Sequence, residues 1–543
     1  MGALRRIALS GLVVLSACAA RGGGGGGGGT LDTDGGVDDR VTPVLDAPVG
    51  SDAPRADATP GDDVFPSLDT PATPDGPTTT DVPTTPDAPA MRCGAWSLAA
   101  NATELTLPPG FPAESFRVSV RYSSLCMSTP GLPVFTVTDV NGDGRQDILV
   151  TSRCADASAS ARWQAYFGTA TGFTAAPRAM AVPESFPVGT FTDAFSGAQC
   201  TASQPSHGYL FTDYNDDRRP DVMMYAQCGD SSVGTTRWRM FPGTDAGWAV
   251  GTDLALPPGY AAGAFVSPLA PVTCVGASRT HRFNAVMDLD GDRLPDITVY
   301  TACDDAAVGT SHWRLHRNVR TGFAASATRW TLPTGYPLPF TTFLQGVLRC
   351  PTQPVSYTVT DLDGDRRPDL VVYRTCDDAT VGSTYWRVHR NTGSGFAQEP
   401  VRWPLPTSYA PGAVDFFANG MDCTARQGVT AGLLDVNGDA RADLVVTTSC
   451  ADSNVGRAYW NLHLNTGAGF AAEPTRVPMP AGYAGAEFRF MATGLQCSPL
   501  TFPWSYGTGD LDGDRALDLT FYASCSDARL GVSAWRTHRG QCM

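Results

Sequence analysis

Six short stretches of this chain set oxygen-bearing side chains at alternate positions, close enough to act on one point. In Asp361-Leu362-Asp363-Gly364-Asp365-Arg366-Arg367-Pro368-Asp369 the carboxylates stand at loop positions one, three, five and nine. Alternate side chains in a tight loop converge, and Gly364 eases the bend. Carboxylates gathered this closely repel one another unless a cation sits among them. Calcium suits the set, because it is a hard ion that takes about six to eight oxygens, backbone carbonyls and water included.

The same pattern makes candidate ligands of Asp139, Asn141, Asp143 and Asp147 in the first stretch and of Asp213, Asn215, Asp217 and Asp221 in the second. It continues with Asp288, Asp290, Asp292 and Asp296, then Asp361, Asp363, Asp365 and Asp369. Asp435, Asn437, Asp439 and Asp443, and finally Asp510, Asp512, Asp514 and Asp518, complete the series. Asparagine at position three keeps an oxygen ligand. The second stretch departs most, with Asp216 where the others carry glycine. An EF-hand fits poorly: that loop wants Gly at position six and Glu at twelve, where the fourth stretch has Arg366 and Val372. One such loop reads equally well as a solvated acidic turn; six in register point to about six structural calcium ions. Extracellular calcium modules bind near 10⁻⁴–10⁻³ M as an order of magnitude. At tenfold excess of ion each site adds about 1.4 kcal/mol to stability.

The loops recur because the chain repeats. They begin at Asp139, Asp213, Asp288, Asp361, Asp435 and Asp510, and a tryptophan keeps the same beat at Trp163, Trp238, Trp313, Trp386, Trp460 and Trp535. Within one unit, Tyr357-Thr358-Val359-Thr360 precedes the loop and Leu370-Val371-Val372-Tyr373 follows it. A third run surrounds Trp386-Arg387-Val388-His389, a turn signal stands at Asn391-Thr392-Gly393, and a fourth run surrounds Val401-Arg402-Trp403. Short β-branched and aromatic runs between Gly, Asn and Pro read as antiparallel strands. Four strands per unit, six times over, predict an all-β, six-bladed β-propeller. Residues 102–108 match the fourth run of other units, and the last unit stops after Trp535-Arg536-Thr537-His538 without one. The N-terminal strand is therefore expected to complete the last blade. An open solenoid would need capping units and leaves the missing strand unexplained.

The pattern D-x-[DN]-G-D-x-x-x-D between two strands resembles the FG-GAP/VCBS-type repeats of integrin α-subunit propellers and many bacterial surface proteins. That resemblance spans all six units and implies a propeller with calcium held in β-hairpin loops at the positions named above. The units are longer than is usual for that family, and paired cysteines are not its hallmark.

Fourteen cysteines lie in the same region, twelve of them two per unit: Cys126 and Cys154, Cys200 and Cys228, Cys274 and Cys303, Cys350 and Cys376, Cys423 and Cys450, Cys497 and Cys525. They read as a disulfide framework, bridged within units or between neighbouring ones. Cys93 and Cys542 fall outside the repeat, one at each end, where a bridge would lock the seam.

Ahead of the repeats the chain is of another kind. Arg5 and Arg6, the apolar run Ile7 to Leu15 and Leu15-Ser16-Ala17-Cys18 resemble a bacterial lipoprotein signal, with cleavage before Cys18 and lipid on its thiol. An ordinary secretory signal is the plainer alternative. Residues 18–91, glycine-rich and then rich in Asp, Thr and Pro, cannot bury enough apolar surface to fold and read as a disordered tether. The expected organisation is thus a signal peptide at 1–17, a linker at 18–91 and a propeller at 92–543, the whole anchored by lipid to the outer membrane or cell surface.

The formal charge is −15, of which thirteen aspartates against Arg40 and Arg55 place −11 in residues 30–90. No basic stripe suggests a nucleic-acid partner. No residue is assigned a catalytic role. His316, His389, His463 and His538 follow the repeated tryptophan by three, but Tyr166 and Phe241 fill that slot in the first two units, which marks a packing position. Asp156, Asp230, Asp305, Asp378, Asp452 and Asp527 read as turn caps or as a second calcium shell. The repeated tryptophan reads as blade core, with exposed rim aromatics left as a route to glycans. The expected function is a surface binding or adhesion module for a protein or polysaccharide. The alternatives are a polysaccharide lyase or hydrolase using the central pocket, with Glu184 or Asp415 as loop residues to watch, and a structural subunit of an envelope assembly.

Overall fold

The computed structural model describes residues 95–542 except for 114, 119, 122–130, 155–161, 184–185, 187–189, 192–194, 197–206, 267–281, 303–304, 337–339, 341–343, 346–349, 351–353, 410–413, 415–427, 484–487 and 489–503. Before that body it describes two short strands, Ala8–Leu9 and Leu12–Val13, paired antiparallel. No helix among the described residues is long and apolar enough to cross a membrane.

The body is all-β and forms a six-bladed propeller. In the fourth blade Val355–Thr360, Asp369–Thr375, Tyr385–His389 and Val401–Pro404 pair as successive antiparallel neighbours. Their β-branched and aromatic residues suit a pleated surface covered on both faces, and the second strand is buried along almost its whole length. A register shift recurs in the innermost strand of every blade, between Ser356 and Tyr357 in the fourth. Such bulges tighten the local twist, which a propeller blade requires.

The core lies between blades. Tyr373, Trp386 and Trp403 of the fourth blade pack with Val429, Leu444 and Val446 of the fifth. Trp535 and Tyr522 of the sixth pack with Phe135 and Ile148 of the first, which closes the ring. All six repeated tryptophans are buried. Indole N–H groups reach the connector to the next blade: Trp313 Nε1 donates to Phe340 O at 2.6 Å and Trp460 Nε1 to Phe488 O at 2.8 Å.

Closure follows the expectation from residues 102–108 and extends it. Thr103–Thr106 is the fourth strand of the last blade, with Trp535 opposite Leu105 and Thr537 opposite Thr103. Trp96–Leu98 also pairs with Gly540–Cys542, so both chain ends build the small hairpin that a continuous chain makes elsewhere. In other units that hairpin rests on the outer strand of the blade before. Gly172 sits beside Thr106 with φ +136°, and a Cβ there would meet the Thr106 nitrogen at 2.2 Å, so only glycine fits.

Cys350 and Cys376 are bridged with Cα atoms 5.9 Å apart, a pairing within one unit that closes a span of 26 residues. In the chain-entropy model such a loop contributes about 3–4 kcal/mol. Cys154, Cys228, Cys450, Cys525 and Cys542 are also disulfide-bonded. Cys18, Cys93, Cys126, Cys200, Cys274, Cys303, Cys423 and Cys497 lie outside the described residues.

Candidate metal centres

Each acidic loop joins the first and second strands of a blade and is organised by its own carboxylates. In the fourth blade Asp361 Oδ1 accepts the N–H of Gly364 and its Oδ2 that of Arg366, both at 2.8 Å. Asp365 Oδ1 accepts the Arg367 N–H at 2.8 Å. Position six is left-handed in all six loops, from φ +69° at Ala440 to φ +91° at Gly144. Only the first loop has glycine there. The others hold a strained residue, and in each the first aspartate captures that residue's N–H: Arg218, Arg293, Arg366, Ala440 and Arg515. In the second loop Asp216 adopts φ +61° where the other loops carry a left-handed glycine.

Position nine has a distinct role. Asp147, Asp221, Asp296, Asp369, Asp443 and Asp518 are at most 1 % exposed. One oxygen of Asp369 accepts the Leu362 N–H within the loop, and the other accepts the N–H of Asn391 in the hairpin at 2.9 Å. The hairpin donor recurs as Gly168, Gly243, Asn318, Asn465 and Gly540. In sequence Asn391 reads only as a turn residue; its constant offset of five from the tryptophan is the signal that marks it. Asn391 and Asn465 also donate side-chain N–H to the loop of the preceding blade, at Leu289 O and Leu362 O.

These carboxylates are poorly hydrated and close together. Burial pushes Asp369, Asp443 and Asp296 up to about 8, against the backbone donors that lower them. Asp147, Asp221 and Asp518 are raised by burial to about 7. At position one, burial and then the neighbouring aspartates hold Asp288, Asp361 and Asp510 near 6.

Three loops bring one oxygen from each of three carboxylates within 4.8 Å of one another: Asp288, Asp290 and Asp296; Asp361, Asp363 and Asp365; Asp510, Asp512 and Asp514. These clusters can hold a metal ion. In the first, second and fifth loops Asn141, Asn215 and Asn437 supply an amide oxygen at position three, and that oxygen accepts the N–H of Asp143, Asp217 and Asp439.

The six loops touch in cyclic order. Arg219 Nε donates to Asn141 O at 3.2 Å, and Arg293 Nη1 lies 3.8 Å from Asp216 Oδ2. A Cβ on Gly291 would meet Arg367 Cγ at 2.5 Å, one on Gly364 would meet Arg441 Cγ at 2.6 Å, and one on Gly438 would meet Arg515 O at 3.3 Å. The last loop meets the first, where a Cβ on Gly513 would lie 2.8 Å from the Gly144 carbonyl. The candidate centres therefore form a ring of contacting loops.

The remaining repeated polar residues have structural partners. His389 Nδ1 donates to Ala397 O at 2.8 Å, and its Nε2 accepts from the Tyr336 hydroxyl at 2.6 Å. Tyr260 with His316, Tyr409 with His463 and Tyr483 with His538 repeat the arrangement. Phe111 packs on Tyr166, and Phe186 on Phe241, in the first two blades. Asp378 caps its turn through the Thr380 N–H and binds Arg387 Nη2 at 2.7 Å. Asp230, Asp305 and Asp527 likewise cap a turn and bind an arginine. Asp452 caps through the Asn454 N–H and binds the Tyr459 hydroxyl. They are turn caps, set apart from the acidic loops. The repeated tryptophans are blade core, as expected, and among the described residues the exposed large hydrophobics are all valines, so the alternative route to glycans through rim aromatics is not found there. Asp156, Glu184 and Asp415 lie outside the described residues.

No family model matches the chain, so its likeness to FG-GAP/VCBS repeats rests on the loop residues alone. No curated protein matches it either. Among solved structures, it is similar to the Tc holotoxin pore of Photorhabdus luminescens, at 15% identity and a TM-score of 0.44 over 83% of this chain. It spans only 15% of that toxin chain. It is also similar to an Agrocybe aegerita lectin that recognises non-reducing terminal N-acetylglucosamine, at 15% identity and a TM-score of 0.34, over 72% of this chain and 74% of the lectin. A third likeness is to the PQQ-bound aldose sugar dehydrogenase of Streptomyces coelicolor, at 12% identity and a TM-score of 0.24, over 82% of this chain and 100% of the enzyme. At these scores none of them bears on what this chain does.

Proposed function

We propose that this chain is a lipid-anchored, calcium-stabilised β-propeller displayed at the bacterial surface, where it binds a protein or polysaccharide. Its units are then long relatives of FG-GAP/VCBS-type repeats. The observation that carries the metal half is the gathering of three carboxylates within 4.8 Å in loops that already fold around them. The donor set is entirely hard oxygen and includes a buried aspartate in every loop, which fits calcium better than a metal seeking nitrogen or sulfur. Positions one, three, five and nine would hold the ion, which would supply the positive charge that these carboxylates lack. Display at the surface is supported by the sequence before Cys18 and by the Asp/Thr/Pro-rich segment that follows. A binding role is supported by the rigid repeated scaffold together with the tether expected of residues 18–91.

The test is thermal unfolding of the full chain in millimolar calcium and in chelator, with bound ions counted in parallel. A marked rise in melting temperature with about six ions per chain is expected. No shift and no bound ion would overturn the metal assignment. Replacement Cys18→Ser should move the chain from membranes to the soluble fraction, and a glycan array with a pull-down would then name the partner class.

A further inference from the structure

The third position of the acidic loops varies together with a residue far along each unit. Where it is Asp290, Asp363 or Asp512, the residue four after the repeated tryptophan is Arg317, Arg390 or Arg539. Where it is Asn141, Asn215 or Asn437, that residue is Phe167, Pro242 or Leu464. The structure joins the charged pairs: Arg317 Nε lies 3.0 Å from Asp290, Arg390 Nε 3.4 Å from Asp363, and Arg539 Nη1 3.0 Å from Asp512. The carboxylates are shielded, their side chains 5, 12 and 18 % exposed, while the guanidinium groups are a third to a half exposed.

From this covariation we infer that Arg317, Arg390 and Arg539 are charge-compensating, positioning residues of the cation sites. Each cancels the extra negative charge of an aspartate at the third ligand, so that the Asp-type and Asn-type loops present the same charge at that position. The arginine engages Oδ2, and Oδ1, which accepts the N–H of the fifth-position aspartate as the amide oxygen does in the other loops, would be left for the ion. The inference rests on the calcium reading above and refines it. A rival role exists on the page: Arg390 and Arg539 also donate to Gly467 O and Ala170 O of the next blade, at 3.5 and 2.8 Å. A purely inter-blade staple would act identically beside Asp or Asn.

The experiment uses the full chain in three forms: Asp290→Asn, Asp363→Asn and Asp512→Asn together; Arg317→Leu, Arg390→Leu and Arg539→Leu together; and all six substitutions. Calcium binding is measured by calorimetry and the unfolding midpoint in chelator. The asparagine set should bind about tenfold more weakly at three sites, since three arginines then stand uncompensated beside the ions. Adding the leucines should restore affinity to within about twofold. The leucine set alone should bind calcium more tightly yet unfold earlier in chelator. Calcium binding by the asparagine set equal to the unsubstituted chain would overturn the inference. So would a leucine effect of equal size beside Asp and beside Asn, which is the staple alone. If the leucine set does not fold, the other two forms still decide. No binding by the unsubstituted chain would sink the calcium reading itself, an outcome distinct from normal binding without coupling.

Discussion

Four of the blades hold two buried polar clusters, and these are completed differently. The Tyr336–His389 pair closes on itself: every polar atom has a protein partner, no charge is buried, and the first two blades replace the pair with aromatic rings. The acidic loop keeps its buried aspartate in all six blades and tolerates only asparagine at position three. Its carboxylates have N–H donors but stand together with their burial unrelieved. A cluster that can be exchanged for hydrocarbon is there for packing. One that keeps its acids in every copy, and in three copies gathers three of them within 4.8 Å, can hold a metal ion.

Substitution can break this contrast, beginning with the largest effect. Asp369→Ala should cost about 2–4 kcal/mol in calcium, because it strands two buried N–H groups, those of Leu362 and Asn391, and removes a ligand. Chemical denaturation would measure it, and a cost below about 1 kcal/mol would reduce the loop to an ordinary turn.

Acidity probes the same contrast without mutation. The position-nine carboxyls are raised by burial from 3.8 to about 7 or 8. A raised folded value means that the native state holds protons the unfolded chain has already released. In chelator the melting temperature should therefore fall as pH rises from about 4 to about 8. Calcium, which binds the ionised form, should stabilise more strongly across the same window. A flat profile in chelator would show the carboxylates to be relieved already.

The histidine cluster should give smaller numbers. Tyr336→Phe leaves the His389 Nε2 without its donor and should cost about 1 kcal/mol. Adding His389→Phe, which recreates the pair of the second blade, should recover most of that loss if the cluster is packing alone. Smallest of all, Ala440→Gly relieves a left-handed φ of +69° but loosens the unfolded chain. A gain of at most about 0.5 kcal/mol is expected by thermal unfolding.

The strands, the blade count and the closing role of residues 102–108 were legible because each leaves a local or periodic mark. Tyr357 to Thr360 alternates, the tryptophan keeps time, and the last unit visibly lacks a fourth run. The four acidic positions were legible for the same reason. Less visible was anything fixed by approach in space. The Asn391 N–H reaches Asp369 across 22 residues and Arg390 reaches Asp363 across 27, so neither looks like part of the loop when the chain is read in order. The contact between neighbouring loops was hidden further, since Gly364 reads as a local bend and only the structure shows Arg441 lying against it. Comparing the six units position by position would have exposed the Asp–Arg and Tyr–His correlations, because internal copies vary like relatives.

The seam carries a consequence for biogenesis. Thr103 lies opposite Thr537, so the Thr103–Thr106 strand has no antiparallel partner until nearly the whole chain has been made. During synthesis the early blades can form while that strand waits for its antiparallel partner. Completion then depends on one encounter between the two ends, with a high entropic toll for the intervening loop and a slow final step. A nascent chain stalled before Ala534 would lack its lock altogether, and quality control could tell finished molecules from unfinished ones by that single edge.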